Sequence, residues 1–218
     1  MKVIILQFAI LSFCLMALGL NNKVSANTLN VDYKTFYSHL NKLSSDDTDA
    51  LQFAFGFVNI RTMELCAINS AKISTEKQQI PIEVTPEQRF TLPTDKILRL
   101  AKALVVLELK EASNICDISV QLETKPEYLK TNYSGQELAF IYQQYVAFFD
   151  GIGSFMSFMM PDVDGITIQF NDKSLNSTLP NGIEILDGTL TIKGNKLATL
   201  NVLILPELPL RITATTSN

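Results

Sequence analysis

Between residues 51 and 124, apolar and polar positions alternate in short runs broken by turn residues, at 51–61, 65–74, 80–85, 89–92, 103–110 and 115–124. A period of two over such lengths predicts half-buried strands. In the first run Leu51, Phe53, Phe55 and Phe57 share one face, and Gln52, Ala54, Gly56 and Val58 share the other. The run 103–110 is apolar on both faces until Glu108, which is the pattern of a central strand. Pro81, Pro86 and Pro93 stand at strand starts and turns. Short strands at this spacing favour an antiparallel β-sandwich. A curved antiparallel sheet closed by helices fits the same pattern.

After Pro126 the period changes. Ser134 is followed three residues later by Glu137, the form of a capping box. Leu138, Ile141, Tyr142, Tyr145, Phe148, Phe149, Ile152, Phe155, Met156 and Met159 then recur at helical spacing. This predicts a long apolar helix over 134–160, ended by Pro161. Alternation returns at 165–170, 183–186, 189–192, 197–205 and 208–213, with Asp187-Gly188 as a hairpin signal. The last few residues are expected to be disordered. Ahead of the β block, 32–43 reads as a short amphipathic helix capped by Asp32, and 44–49 as an acidic linker. The expected fold class is therefore α+β. A short helix and linker at 27–50 lead into an antiparallel, sandwich-like block at 51–124. The long apolar helix and a second small antiparallel sheet then occupy 125–218.

The first residues change the picture. Lys2 precedes an apolar run, and Val24-Ser25-Ala26 supplies small residues for cleavage. This is the layout of a secretory signal peptide over 1–26, cut after Ala26. Its apolar run is near the lower limit for spanning a bilayer, so no stable membrane span is expected after cleavage. Removing it takes away two lysines and no acids, which leaves sixteen basic residues against twenty-two acidic ones, a net charge of −6. An acidic chain without a basic cluster is a poor partner for nucleic-acid phosphates. It also lacks the polybasic face that draws proteins to anionic lipid. The expected location is the periplasm. Cys66 and Cys116 are the cysteines that remain, and in an oxidising compartment they are expected to pair.

Several stretches carry a resemblance: Cys66-Ala67-Ile68, Ala71-Lys72-Ile73-Ser74-Thr75-Glu76-Lys77, Leu92-Pro93-Thr94-Asp95, Lys102-Ala103-Leu104-Val105, Cys116-Asp117 and Leu208-Pro209-Leu210-Arg211-Ile212-Thr213. Together they resemble an uncharacterised family of secreted gammaproteobacterial proteins, a domain of unknown function. The resemblance implies a bacterial envelope protein with a paired cysteine set. It carries no catalytic residue.

Chemistry is sparse. There is no phosphate-cradling glycine loop, dinucleotide fingerprint or nucleophile elbow. One histidine, His39, does not build a His-rich zinc site. No cofactor, metal or catalytic residue is therefore expected. Asp162 and Asp164 read first as a helix-to-strand turn. The leading reading is a non-catalytic binding or structural module of the envelope that meets a protein or cell-wall partner through a β surface. The alternatives are a carrier or sensor of an apolar or lipid ligand, and a carboxylate-based hydrolase. In the carrier, Tyr145, Phe149, Ile152, Phe155, Met156 and Met159 of the helix line the ligand site.

The signal reading has a direct test. N-terminal sequencing of the exported protein should begin at Asn27 in a soluble periplasmic fraction. Met1 retained on a membrane-bound chain contradicts it.

Overall fold

The computed structural model describes residues 27–153 and 162–217. The expected signal segment 1–26 and three residues of the helical stripe, Phe155, Met156 and Met159, lie outside the described residues. The fold is a mixture of helix and strand, and every strand ladder is antiparallel.

The described chain opens with a strand not expected from the pattern, β1 (Asn27–Asp32). Helix α1 (Tyr33–Leu40) follows, and buries Tyr33, Phe36 and Leu40 of the expected stripe. Asp32 does not cap it with its side chain. The first helical N–H, that of Tyr33, instead donates to the Ala103 carbonyl at 2.9 Å. A tertiary acceptor has taken the place of a local one. The next elements are β2 (Leu51–Asn59), β3 (Ile68–Ser74), β4 (Gln79–Ile82), α2 (Lys96–Leu100), β5 (Leu104–Leu109) and β6 (Cys116–Thr124). β5 is central as expected, in a four-stranded sheet of order β1-β5-β3-β4. Its two faces are unequal, because Val105, Leu107 and Leu109 are fully buried while Leu104 is exposed.

β2 and β6 pair over their full length, from Leu51 opposite Thr124 to Asn59 opposite Cys116. The run 89–92 is not a ladder strand; Phe90 alone pairs with Phe55 on the other edge of β2, by reciprocal bonds of 2.8 and 2.9 Å. The Cys66–Cys116 disulfide forms, with Cα atoms 6.3 Å apart. Cys66 precedes β3 rather than lying inside it, and its N–H donates to the Phe57 carbonyl at 2.8 Å. The bridge therefore fastens the chain leaving β2 to the first residue of β6. Closing a loop of this length stabilises by about 4 kcal/mol on the chain-entropy account.

The second half begins with β7 (Asn132–Ser134) and helix α3 (Gly135–Gly153). The capping box is present: Glu137 N–H donates to Ser134 Oγ at 3.3 Å, and Ser134 N–H to Glu137 Oε2 at 2.9 Å. Lys130 and then Ser134 hold the Glu137 carboxyl down at about 2. Over its described residues the helix is less apolar than expected. Leu138, Ile141, Gln144, Tyr145 and Phe148 form a buried stripe, while Phe140 and Ile152 are exposed. Over 135–153 it is an amphipathic helix rather than an apolar one. After it come β8 (Val163–Gln169), β9 (Ser177–Leu179), β10 (Ile183–Ile185), β11 (Thr189–Lys193), α4 (Gly194–Leu197), β12 (Val202–Ile204) and β13 (Arg211–Thr216). The Asp187-Gly188 turn has φ of +48° and +68°, as a tight hairpin turn requires. Leu186 and Thr189 close it with reciprocal bonds of 2.9 Å, beyond which β10 ladders with β9, and β11 with β8. The expected strand at 197–205 is reduced to β12, because Leu197 ends α4, and the strand expected at 208–213 is β13, which runs on through Thr216 of the expected disordered tail and pairs with β8.

One contiguous hydrophobic cluster joins residues of both halves. On the inner face of β2, Phe55 meets Phe36 of α1 edge-on at 5.0 Å, and Phe53 meets Phe148 of α3 at 5.7 Å. The buried Gln144 uses its Oε1 to accept the Ala50 N–H at 2.8 Å, which seats α3 on the start of β2. One residue on, the Tyr145 hydroxyl donates to the Ile212 carbonyl of β13 at 2.6 Å and shares a 3.0 Å bond with Thr124 Oγ1 of β6. Burial raises the Tyr145 phenol above its ordinary value, which keeps it a neutral donor.

Tyr145→Phe leaves the Ile212 carbonyl and the Thr124 hydroxyl without this partner, and should cost roughly 1–3 kcal/mol. A denaturant melt checks it. Wild-type stability in the variant contradicts the bridging role.

Candidate functional site

Alternation along β2 sends its four large apolar residues inward and leaves Gln52, Ala54 and Gly56 outward. Their register partners on β6 are Glu123, Gln121 and Ser119. The outer face therefore sets a polar row beside a floor of small residues. Gly56 is there for a steric reason. A Cβ at this position would lie 2.9 Å from the Gln88 carbonyl oxygen and 3.4 Å from Arg89 Cδ. The Arg89 side chain lies over this glycine and reaches β6, where its Nη1 donates to Ser119 Oγ at 3.1 Å and to the Ser119 carbonyl at 3.3 Å.

The turn that delivers Arg89 is tightly held. Arg89 O accepts the Thr85 N–H at 2.7 Å, and Phe90 is pinned to Phe55. Gln88 sits in the left-handed region at φ +60°, a conformation that costs a non-glycine residue about 1 kcal/mol or more. Its side chain offsets this by accepting the Ile68 N–H at 2.6 Å.

A second arginine enters from β13. Arg211 is 9% exposed; its Nη1 donates to Gln121 Oε1 at 3.0 Å and lies 3.8 Å from Glu123 Oε2. Gln52 Nε2 holds the other Glu123 oxygen at 3.0 Å. Burial lowers the Arg89 guanidinium from its ordinary value, the nearby Arg211 charge lowers it further, and Glu123 opposes both. Two guanidinium groups thus stand close together in a partly dry setting with one neighbouring carboxylate.

These residues line a cleft of about 320 Å³ with Glu83, Thr85, Glu87, Phe90, Thr91, Pro126 and Leu210. Among the described residues, each arginine donates through Nη1 alone, and the Nε of each is buried without a hydrogen-bond partner. Nε and Nη2 form the fork that takes a planar anion side-on. Native proteins leave few buried donors unpaired, so two of them on residues that line one cleft are a chemical signal. Another cleft, of about 650 Å³, lies between α2 and the turn after β3, but its acids and bases are surface residues.

The residues expected to line a ligand cavity lie elsewhere. Tyr145 is fully buried with its hydroxyl committed, Phe149 is half-buried against the core, and Ile152 is 37% exposed. None of the three lines the four clefts described for this chain. Asp164 pairs with Lys193 at 3.8 Å, and His39 stands edge-on to Phe53. Burial lowers the His39 imidazole. Glu111 lies beside Cys66 and Cys116, but both sulfurs are in the disulfide and Glu111 Oε2 accepts the Ala67 N–H at 2.9 Å. Sequence reasoning missed Arg89, Glu123 and Arg211. The available signal was Ala54 and Gly56 inside an otherwise aromatic strand, since a strand glycine marks close approach of another group.

Among the described residues, no helix is long and apolar enough to cross a membrane. No curated protein and no solved structure matches the chain. Residues 25–170 match the family described as Protein of unknown function (DUF2987), and the chain belongs to that family. The match contains Arg89 and Glu123 and stops short of β13, so Arg211 lies beyond it.

Proposed function

We propose that this chain is an exported envelope protein, cleaved after Ala26, that acts as a non-catalytic binding module and holds a carboxylate-bearing ligand in the cleft of Arg89 and Arg211. The observation that carries the reading is the pair of arginines that line one cleft beside a single ion-paired carboxylate, each with a buried Nε that has no hydrogen-bond partner. An arginine fork and a carboxylate match in shape and charge, and the charge-assisted bonds they form are about twice as strong as neutral ones. The volume, about 320 Å³, is at the small end of the range for sites that take small molecules. The paired cysteines support export, since such bonds persist in oxidising compartments. The reading keeps recognition on a β surface, as alternation along the chain suggested.

Calorimetric titration with small carboxylates, from acetate to alanyl-alanine, tests it. At least one should bind, and its affinity should fall about tenfold or more in Arg89→Met, because charge-assisted hydrogen bonds worth roughly 1.5–3 kcal/mol are lost. Arg211→Lys keeps a counter-charge beside Glu123 but removes the fork, and should weaken binding without unfolding the protein. No binding by any carboxylate, or equal affinity in both variants, contradicts the reading.

A further inference from the structure

The lining of the same cleft carries two more acids. Glu83 and Glu87 both line the cleft, Glu83 exposed and Glu87 half-buried. Among the described residues neither lies within ion-pair distance of a lysine or arginine. This is unexpected, because Arg89 is two residues from Glu87 and would ordinarily fold back on it. Arg89 is held away by Ser119, on the far side of β2, and by its passage over Gly56. The cleft lining therefore holds charges of both signs, with Glu83 and Glu87 outside ion-pair distance of its arginines.

The charges select a ligand. On the floor, two guanidinium charges face one adjacent carboxylate, Glu123, which leaves a positive excess. Elsewhere on the lining, Glu83 and Glu87 leave a negative excess. A simple anion drawn to the arginines is repelled by the acids, and a simple cation drawn to the acids is repelled by the arginines. A molecule with an ammonium at one end and a carboxylate at the other satisfies both sets of charges. We propose that the cleft takes a small zwitterion of free amino-acid or dipeptide size. Its carboxylate lies on the guanidinium groups of Arg89 and Arg211, and its ammonium on Glu83 and Glu87. This rests on the reading of the cleft as a carboxylate site, and adds the second charge that the ligand must carry.

The test uses alanyl-alanine, alanyl-phenylalanine and alanyl-glutamate, each free, N-acetylated or C-amidated, titrated into the exported full chain. A free dipeptide should bind, and acetylation and amidation should each weaken it about tenfold or more. Glu83→Gln/Glu87→Gln removes two lining charges without touching a buried contact. In it the loss on acetylation should disappear while the loss on amidation persists. Equal binding of free and acetylated forms overturns the zwitterion and leaves the carboxylate site standing. A free-form preference that survives in the double variant also overturns it, because the ammonium then lies elsewhere. Failure of every form to bind the wild-type chain overturns both readings.

Discussion

The Tyr145 hydroxyl is the point on which inside and outside of this molecule turn. It donates to Ile212 and shares a bond with Thr124, on two strands that do not ladder with each other in sequence order. Successive side chains on a strand point to opposite faces. With Thr124 facing the helix, Glu123 faces out; with Ile212 in the core, Arg211 faces out. One buried phenol thus sets where the outer ion pair stands. Gln144, one residue earlier, does the same for the start of β2 through the Ala50 N–H. The helix is an internal clamp, and the cleft is what the clamp presents to solvent.

A cleft of this kind is costly to maintain. Arg211 and Glu123 have side chains only 11% and 14% exposed, so each gives up much of its hydration. Pairs in such settings add little net stability, although removing one partner alone costs roughly 3–5 kcal/mol. Gln88 at φ +60° adds backbone strain in the turn beside them. The rest of the fold offsets these terms. Phe36, Phe53, Phe55, Phe90 and Phe148 form a connected set of ring contacts on the inner face. The disulfide fastens the far end of the same strand pair. The strand pair fastened by these ring contacts and the disulfide thus carries strained and partly desolvated polar groups beside its outer face.

Much of the frame was legible in the alternation of residues. The inward aromatic face of β2, the central place of β5, the capping box at Ser134 and Glu137, and the pairing of Cys66 with Cys116 all follow from local pattern or simple count. Failures occurred where tertiary contacts override local signals. Asp32 is a good capping residue that does not cap, because Ala103 supplies the acceptor first. β1 is short and rich in asparagine, and exists by pairing with β5. Residues 214–216 continue a strand because β8 has a free edge for them. The cleft was illegible for a further reason: Arg89, Glu123 and Arg211 come from three distant stretches, and no spacing rule joins them. Apolar helical residues such as Tyr145 and Phe149 were more conspicuous, and they went into the core.

Arginine side-chain spectroscopy isolates the central claim, that Arg89 and Arg211 hold their forks ready for an anion. The chain has four arginines, Arg61, Arg89, Arg99 and Arg211, so the ¹⁵N–¹H spectrum of their Nε groups is simple enough to assign. On titration with a short peptide bearing a free carboxylate, the Nε–H signals of Arg89 and Arg211 should move together with one binding constant, while those of Arg61 and Arg99 stay in place. A spectrum in which the two cleft arginines do not move, or in which all four drift alike, contradicts the account.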